Sequence, residues 1–169
     1  NINFHCDAAD VVGLLCLQPA KHGGLSRVVS SGTLFNDCLA VDPEAAVRGF
    51  DAFRLDGRGE SRPGAKPYSA VVPCCFAQGQ LRTFFHSEYF RSVERHDDVQ
   101  LDDLERRWLD HYDRFAGDPQ NYLEMSLAPG DMQFLSNHSI AHARTAYQDD
   151  PDKPRHLLRL WLSLDDAQD

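Results

Sequence analysis

Short alternating runs, not long amphipathic ones, dominate this 169-residue chain and limit what it can fold into. Residues 11–17, 25–30, 53–56, 69–76, 81–85, 122–127 and 132–135 are rich in apolar, β-branched or aromatic side chains, with Gly, Pro, Asn and Asp between them. Side chains alternate across a strand, so each run buries one face, and the intervening residues supply turns. Residues 69–76 and 81–85 flank Ala77-Gln78-Gly79-Gln80, a hairpin signal. Many short strands of this kind predict a mainly β domain, a double-sheet jelly roll. Nothing in the order supports a doubly wound sheet.

Helices enter as insertions. Residues 101–115 place Leu101, Leu104, Trp108, Leu109, Tyr112 and Phe115 at helical spacing, with charge on the other face. The charged cluster Glu105-Arg106-Arg107 and the acidic tail Asp165, Asp166 and Asp169 read as solvated surface. A helix is predicted within residues 32–40, and a short one begins at Asp42-Pro43-Glu44, an Asp cap before a first-position Pro. Residues 57–67 form a Gly-, Pro- and charge-rich loop, the candidate mobile segment.

A chain of this size makes one domain, 1–169, with its own core. It starts at Asn1 with metal-ligand candidates a few residues later, so the domain is expected to be N-terminally incomplete. A formal net charge of -9 argues against nucleic acid or an anionic membrane as partner. No apolar run approaches the roughly 20 residues of a bilayer span. The five cysteines have no disulfide or zinc-finger spacing, which predicts reduced thiols in a cytoplasmic protein. A small-molecule partner is expected, and a homo-oligomer remains open.

The chemistry concentrates at the two ends. His5-Cys6-Asp7 sets an imidazole and a carboxylate on one face of a strand, with Cys6 on the other as an inert packed thiol. Residues 137–147 carry His138, His142 and Arg144, and an alternating strand with Arg155 and Arg159 follows. That order would put an imidazole and a guanidinium on neighbouring strands. Two imidazoles and one carboxylate are the facial set that holds non-haem Fe(II) with positions left open. A 2-oxo acid chelating such an iron leaves a far carboxylate, which a buried arginine can bind through two hydrogen bonds. A spacing of four sets Arg155 and Arg159 on one strand face. Their bland reading is a solvated strand face or ordinary ion pairing with Asp149, Asp150 and Asp152. Spacing does not choose between His138 and His142.

In order and context these residues resemble the taurine dioxygenase group of Fe(II)/2-oxoglutarate-dependent dioxygenases, a double-stranded β-helix fold. The likeness is carried by His5-x-Asp7, Gly23-Gly24-x-Ser26, Pro129-Gly130-Asp131, Asn137, His142-x-Arg144 and Arg155-x-x-x-Arg159. It implies that His5, Asp7 and His142 bind iron and that Arg155 holds the far carboxylate of 2-oxoglutarate. Ser26 stands where the family places a hydroxyl on the same group; its bland reading is a hydroxyl bonded to backbone. Arg159 would contact cosubstrate or substrate, and His138 would lie behind the site or in solvent.

Arg144 is a substrate candidate, with pairing to an aspartate as its structural alternative. Arg82 is a second substrate candidate and His86 a ligand-facing one, whereas the neighbouring phenylalanines read as core. The metal carboxylate is present, which favours hydroxylation of an aliphatic C–H with O2, releasing succinate and CO2. Desaturation or cyclisation at the same iron, a silent ligand-binding jelly roll and a zinc hydrolase are the alternatives. The last leaves Arg155 and Arg159 without a role.

Overall fold

A computed structural model describes residues 1–164, and the acidic tail at Asp165, Asp166 and Asp169 lies outside them. Four strands, β1 (Ile2–His5), β11 (Ile140–Arg144), β4 (Ser26–Ser30) and β9 (Tyr122–Met125), form one antiparallel sheet in the order β1-β11-β4-β9. A second antiparallel sheet runs β10-β2-β13, from Met132–Ser136, Val11–Gln18 and His156–Leu162. Three two-stranded pairs complete the β structure: β3 (His22–Gly23) with β12 (Tyr147–Gln148), β5 (Phe53–Asp56) with β6 (Tyr68–Val71), and β7 (Cys74–Ala77) with β8 (Gln80–Thr83). The mainly β expectation holds, with helices as insertions.

Period two sorts the four-stranded sheet into two environments. Val29 and Ala141, paired across β4 and β11, point to one side and are buried. Ser26, His142 and Arg144 occupy the alternate positions and point toward the second sheet. On the first side lie α1 (Ser31–Val41), α2 (Pro43–Arg48) and α4 (Asp103–Ala116), with α3 (Ser87–Arg91) and a 3-10 turn at Ser92–Arg95. There Trp108 stacks on Tyr112, with ring centroids 4.0 Å apart, and Phe53, Phe85 and Phe90 close around them. The helices therefore brace the sheet from behind and leave its other face free for chemistry.

Local signals account for the helix ends. Asp42 caps α2, accepting the Ala45 N–H at 3.2 Å ahead of Pro43 at the first helical position. Asp102 and Glu105 form a reciprocal capping box on α4. That box corrects the reading of Glu105 as solvated: the residue is buried and pairs with Arg48 at 2.6 Å. Residues 69–76 are likewise not one strand. The chain breaks before Pro73, so β6 pairs with β5 while β7 forms the hairpin with β8, turning at Gln78-Gly79. The last correction concerns β11 and β13, which are not neighbours. They lie in different sheets, and the site forms between them.

Candidate metal centre and its cavity

His5 ends β1 and pairs directly with His142 on β11, so two imidazoles stand side by side with ring centroids 4.4 Å apart. Asp7 lies just past the end of β1, but the alternation expected of His5-Cys6-Asp7 persists. Cys6 turns the other way into the core, where burial pushes its thiol up to about 12. Asp7 Oδ1 lies 3.7 Å from His5 Nε2, and its Oδ2 lies 3.5 Å from His142 Nε2. One ligand atom from each of the three residues falls within 4.8 Å of the others.

These separations are long for hydrogen bonds. Ligand atoms about 2.1 Å from a shared ion and at right angles stand about 3 Å apart, so a small contraction seats an ion among them. The Nδ1–H of His5 donates to the Asn3 carbonyl at 2.8 Å, which leaves the Nε2 lone pair facing Asp7. His142 Nδ1 is buried with no partner among the described residues.

Asp7 is the most supported member. Burial alone would raise its carboxyl, but the adjoining His142 and His5 rings and the Trp161 indole N–H outweigh that and hold it well below the usual carboxylate range. The indole N–H of Trp161 donates to Asp7 Oδ2, and the Asp7 backbone N–H donates to Asn137 Oδ1 at 3.1 Å. Sequence reasoning gave Asn137 no role and missed Trp161. The signal for Trp161 was available: it lies two residues after Arg159, on the same strand face.

Behind the three ligands a cavity of about 210 Å³ opens between the sheets. Ser26, Arg144, Arg155 and Arg159 line it with Leu14, Leu127 and Leu157. Arg155 lies just ahead of β13 and not on it, but it and Arg159 line one cavity across a register shift at His156/Leu157. Asp149 accepts the Arg155 backbone N–H at 2.8 Å, and among the described residues no carboxylate pairs with the Arg155 guanidinium. Burial, then repulsion from Arg144, lowers the Arg155 pKa from its usual value. Arg159 reaches Asp7 Oδ1 at 3.5 Å and stacks over Trp161. The Ser26 hydroxyl donates to Gln133 Oε1 at 2.9 Å, not to backbone.

Other candidates separate from this centre. His138 sits in the turn before β11 and pairs with Asp10 at 2.7 Å. Arg82 lies on β8, away from the residues that line the cavity behind the three ligands. Arg144 has no aspartate partner among the described residues, against the pairing expected for it; its guanidinium lies over Tyr147. His86 borders a wider groove of about 710 Å³ outside β1, beside His5. Burial, with the charges of His5 and Arg58, pushes the His86 imidazole down to about 4. Phe85 and Phe90 are core, as read from sequence.

Comparison with known proteins agrees with this arrangement. FR-33289 synthase of Streptomyces rubellomurinus is 33% identical over 99% of this chain and 51% of its own length. A uridine-5'-phosphate dioxygenase of Amycolatopsis is 41% identical over 86% of this chain and 52% of its own. The chain thus spans about half the length of the curated relatives it matches. Among solved structures, an asparagine oxygenase with Fe(II), 2S,3S-3-hydroxyasparagine and succinate superposes with a TM-score of 0.70 at 16% identity, covering 95% of this chain and 49% of that one. A putative alpha-ketoglutarate dependent 2,4-D dioxygenase from Burkholderia xenovorans also gives 0.70 at 16% identity, over 98% and 68%. The fold is that of these oxygenases. The sequence pattern of one family matches residues 1–161, and the chain belongs to it: the taurine catabolism dioxygenase TauD, TfdA family.

Proposed function

We propose that this chain carries the centre of an Fe(II)/2-oxoglutarate-dependent oxygenase that hydroxylates an aliphatic C–H bond of a small organic molecule. The observation that carries the reading is the convergence of His5, Asp7 and His142 at the mouth of an arginine-lined cavity. When bound there, iron with 2-oxoglutarate and O2 supplies the oxidation, with succinate and CO2 released.

The residues present fit that group. Two neutral imidazole nitrogens and an ionised carboxylate are suitable Fe(II) donors, and the bond from His5 Nδ1–H to Asn3 presents the correct nitrogen. Arg155 would hold the far carboxylate of 2-oxoglutarate, with Ser26 beside it. Arg159, at the metal end of the cavity, would face the near carboxylate or an acidic group of the substrate. The relatives named for uridine-5'-phosphate support a small polar molecule as substrate.

Residues 57–67 would form part of a lid over the site, anchored where the Arg58 guanidinium donates to the Glu88 carbonyl at 3.0 Å. Protease mapping tests this, and equal cleavage with and without 2-oxoglutarate rules it out. Among the described residues no helix is long and apolar enough to cross a membrane. The free thiols, of which only Cys75 is exposed, support a reducing compartment such as the cytoplasm.

Anaerobic titration of Fe(II) and 2-oxoglutarate, read by the visible charge-transfer band of the chelate, tests the centre. The band is expected in the wild type and absent in His142→Ala. A folded wild type with no band would sink the oxygenase reading.

A further inference from the structure

The cavity holds more positive charge than one distal carboxylate anchor requires, and one aromatic ring gathers it. The Arg144 guanidinium carbon lies 4.5 Å from the centroid of the Tyr147 ring, and that of Arg155 lies 5.3 Å from the same centroid. Neither guanidinium has a carboxylate partner among the described residues, and Arg144 Nε is buried without any hydrogen bond. Two like charges brought together without an anion repel each other, and the ring's electron-rich face partly offsets this. An arrangement of that kind is set up for an anion that arrives from outside.

The backbone keeps the ring in place. Tyr147 belongs to β12, which pairs with β3 at Gly23, and the Gly24 N–H donates to the Ala146 carbonyl at 3.1 Å. Gly24 also leaves room for the arginine, since a Cβ there would stand 3.2 Å from Arg155 Nε. The Gly23-Gly24 pair thus serves to pack β12 and Arg155 closely together.

We infer that Tyr147 is a positioning residue for 2-oxoglutarate, clamping Arg144 and Arg155 so that both guanidiniums meet its distal carboxylate. This rests on the cosubstrate reading of the cavity given above. It assigns Arg144 to the cosubstrate instead of the substrate. It also makes the selectivity of the site for a dicarboxylate depend on a residue that touches no ligand.

The test measures binding, not turnover. Titration calorimetry on the anaerobic Fe(II)-loaded protein compares 2-oxoglutarate with 2-oxopentanoate, which has the same chain length and lacks the distal carboxylate. In the wild type 2-oxoglutarate binds more tightly. Tyr147→Leu is expected to cut that preference about tenfold, the scale of a partly desolvated cation–π contact, while 2-oxopentanoate binds as before. Tyr147→Phe keeps the ring face and restores the preference, and Arg144→Gln reduces it as Tyr147→Leu does.

A preference that survives both Tyr147→Leu and Arg144→Gln overturns the clamp and leaves the cosubstrate cavity intact. Equal loss of both acids in Tyr147→Leu also overturns it, because a merely structural role would act on both. A wild type without any preference overturns the cavity reading and this inference together.

Discussion

The indole N–H of Trp161, on the last strand, donates to Oδ2 of Asp7, just past the first, at 3.0 Å. The bond ties the second sheet to the candidate metal carboxylate of the first and orients that carboxylate. Partners behind a metal ligand typically contribute 10- to 100-fold in affinity. Trp161→Phe keeps the apolar bulk and removes the donor, so Fe(II) should bind about tenfold more weakly. Competition against a chromophoric chelator measures this, and an unchanged affinity would show that the bond is incidental.

Ser26 and Gln133 make a second prediction. The Ser26 hydroxyl spends its proton on Gln133 Oε1, so it can donate to a carboxylate only by turning away from that partner. The gain on binding is then an exchange of one hydrogen bond for another, worth about 1 kcal/mol. Ser26→Ala should weaken 2-oxoglutarate about fivefold. A loss of several hundredfold would mean that Ser26, not Arg155, is the principal anchor.

Acid stability should show the Asp42 cluster. Asp42 accepts from Arg107 Nη2 at 2.6 Å, from Ala45 N–H and from the His111 ring, joining α2 to α4. The hydrogen bond from Arg107 is the largest influence, and the carboxyl is held down to about 2. A carboxyl lowered on folding stabilises the protein at pH values above its unfolded pKa of about 4. That stabilisation is lost as the pH falls through the folded value. Asp42→Asn keeps the helix cap and loses the charge, at a cost of about 1–2 kcal/mol near neutrality. Denaturant melts should show the gap closing between pH 4 and 2, and a gap independent of pH would assign the effect to packing.

The parts of this molecule legible in its sequence are those set by local period and by chemistry. His5 and Asp7 could be read because alternation puts a ligand pair on one strand face, whereas spacing left His138 and His142 equal and only the family resemblance pointed to His142. The cap at Asp42 and the apolar stripe of α4 were likewise local. Pairing between distant strands was not. The sequence places β11 and β13 close together along the chain, but β4 and β2 claim them for separate sheets, and the cavity exists because of that separation. Alternation could have set Trp161 on the face of Arg159, but Tyr147 was invisible as a site residue, since aromatic strand residues are usually packing and only the fold brings these two to Asp7, Arg144 and Arg155. Glu105 shows the converse, a charged side chain in a charged run that the fold buries against Arg48.

Gly23 and Gly59 both have positive φ, +71° and +87°, but they should respond differently to substitution. A Cβ at Gly59 meets nothing within 4 Å, so Gly59→Ala carries only the backbone penalty, about 1–2 kcal/mol. A Cβ at Gly23 would stand 2.2 Å from the Ala146 carbonyl oxygen, which is backbone and cannot swing aside. Gly23→Ala must therefore push β12 away from β3 and carry the Tyr147 ring with it. The expected result is a larger drop in thermal midpoint than for Gly59→Ala, with 2-oxoglutarate binding weakened about tenfold in Gly23→Ala alone. If Gly23→Ala binds 2-oxoglutarate as tightly as the wild type, the pairing of β3 with β12 does not position the arginines, and their orientation comes from the two sheets alone.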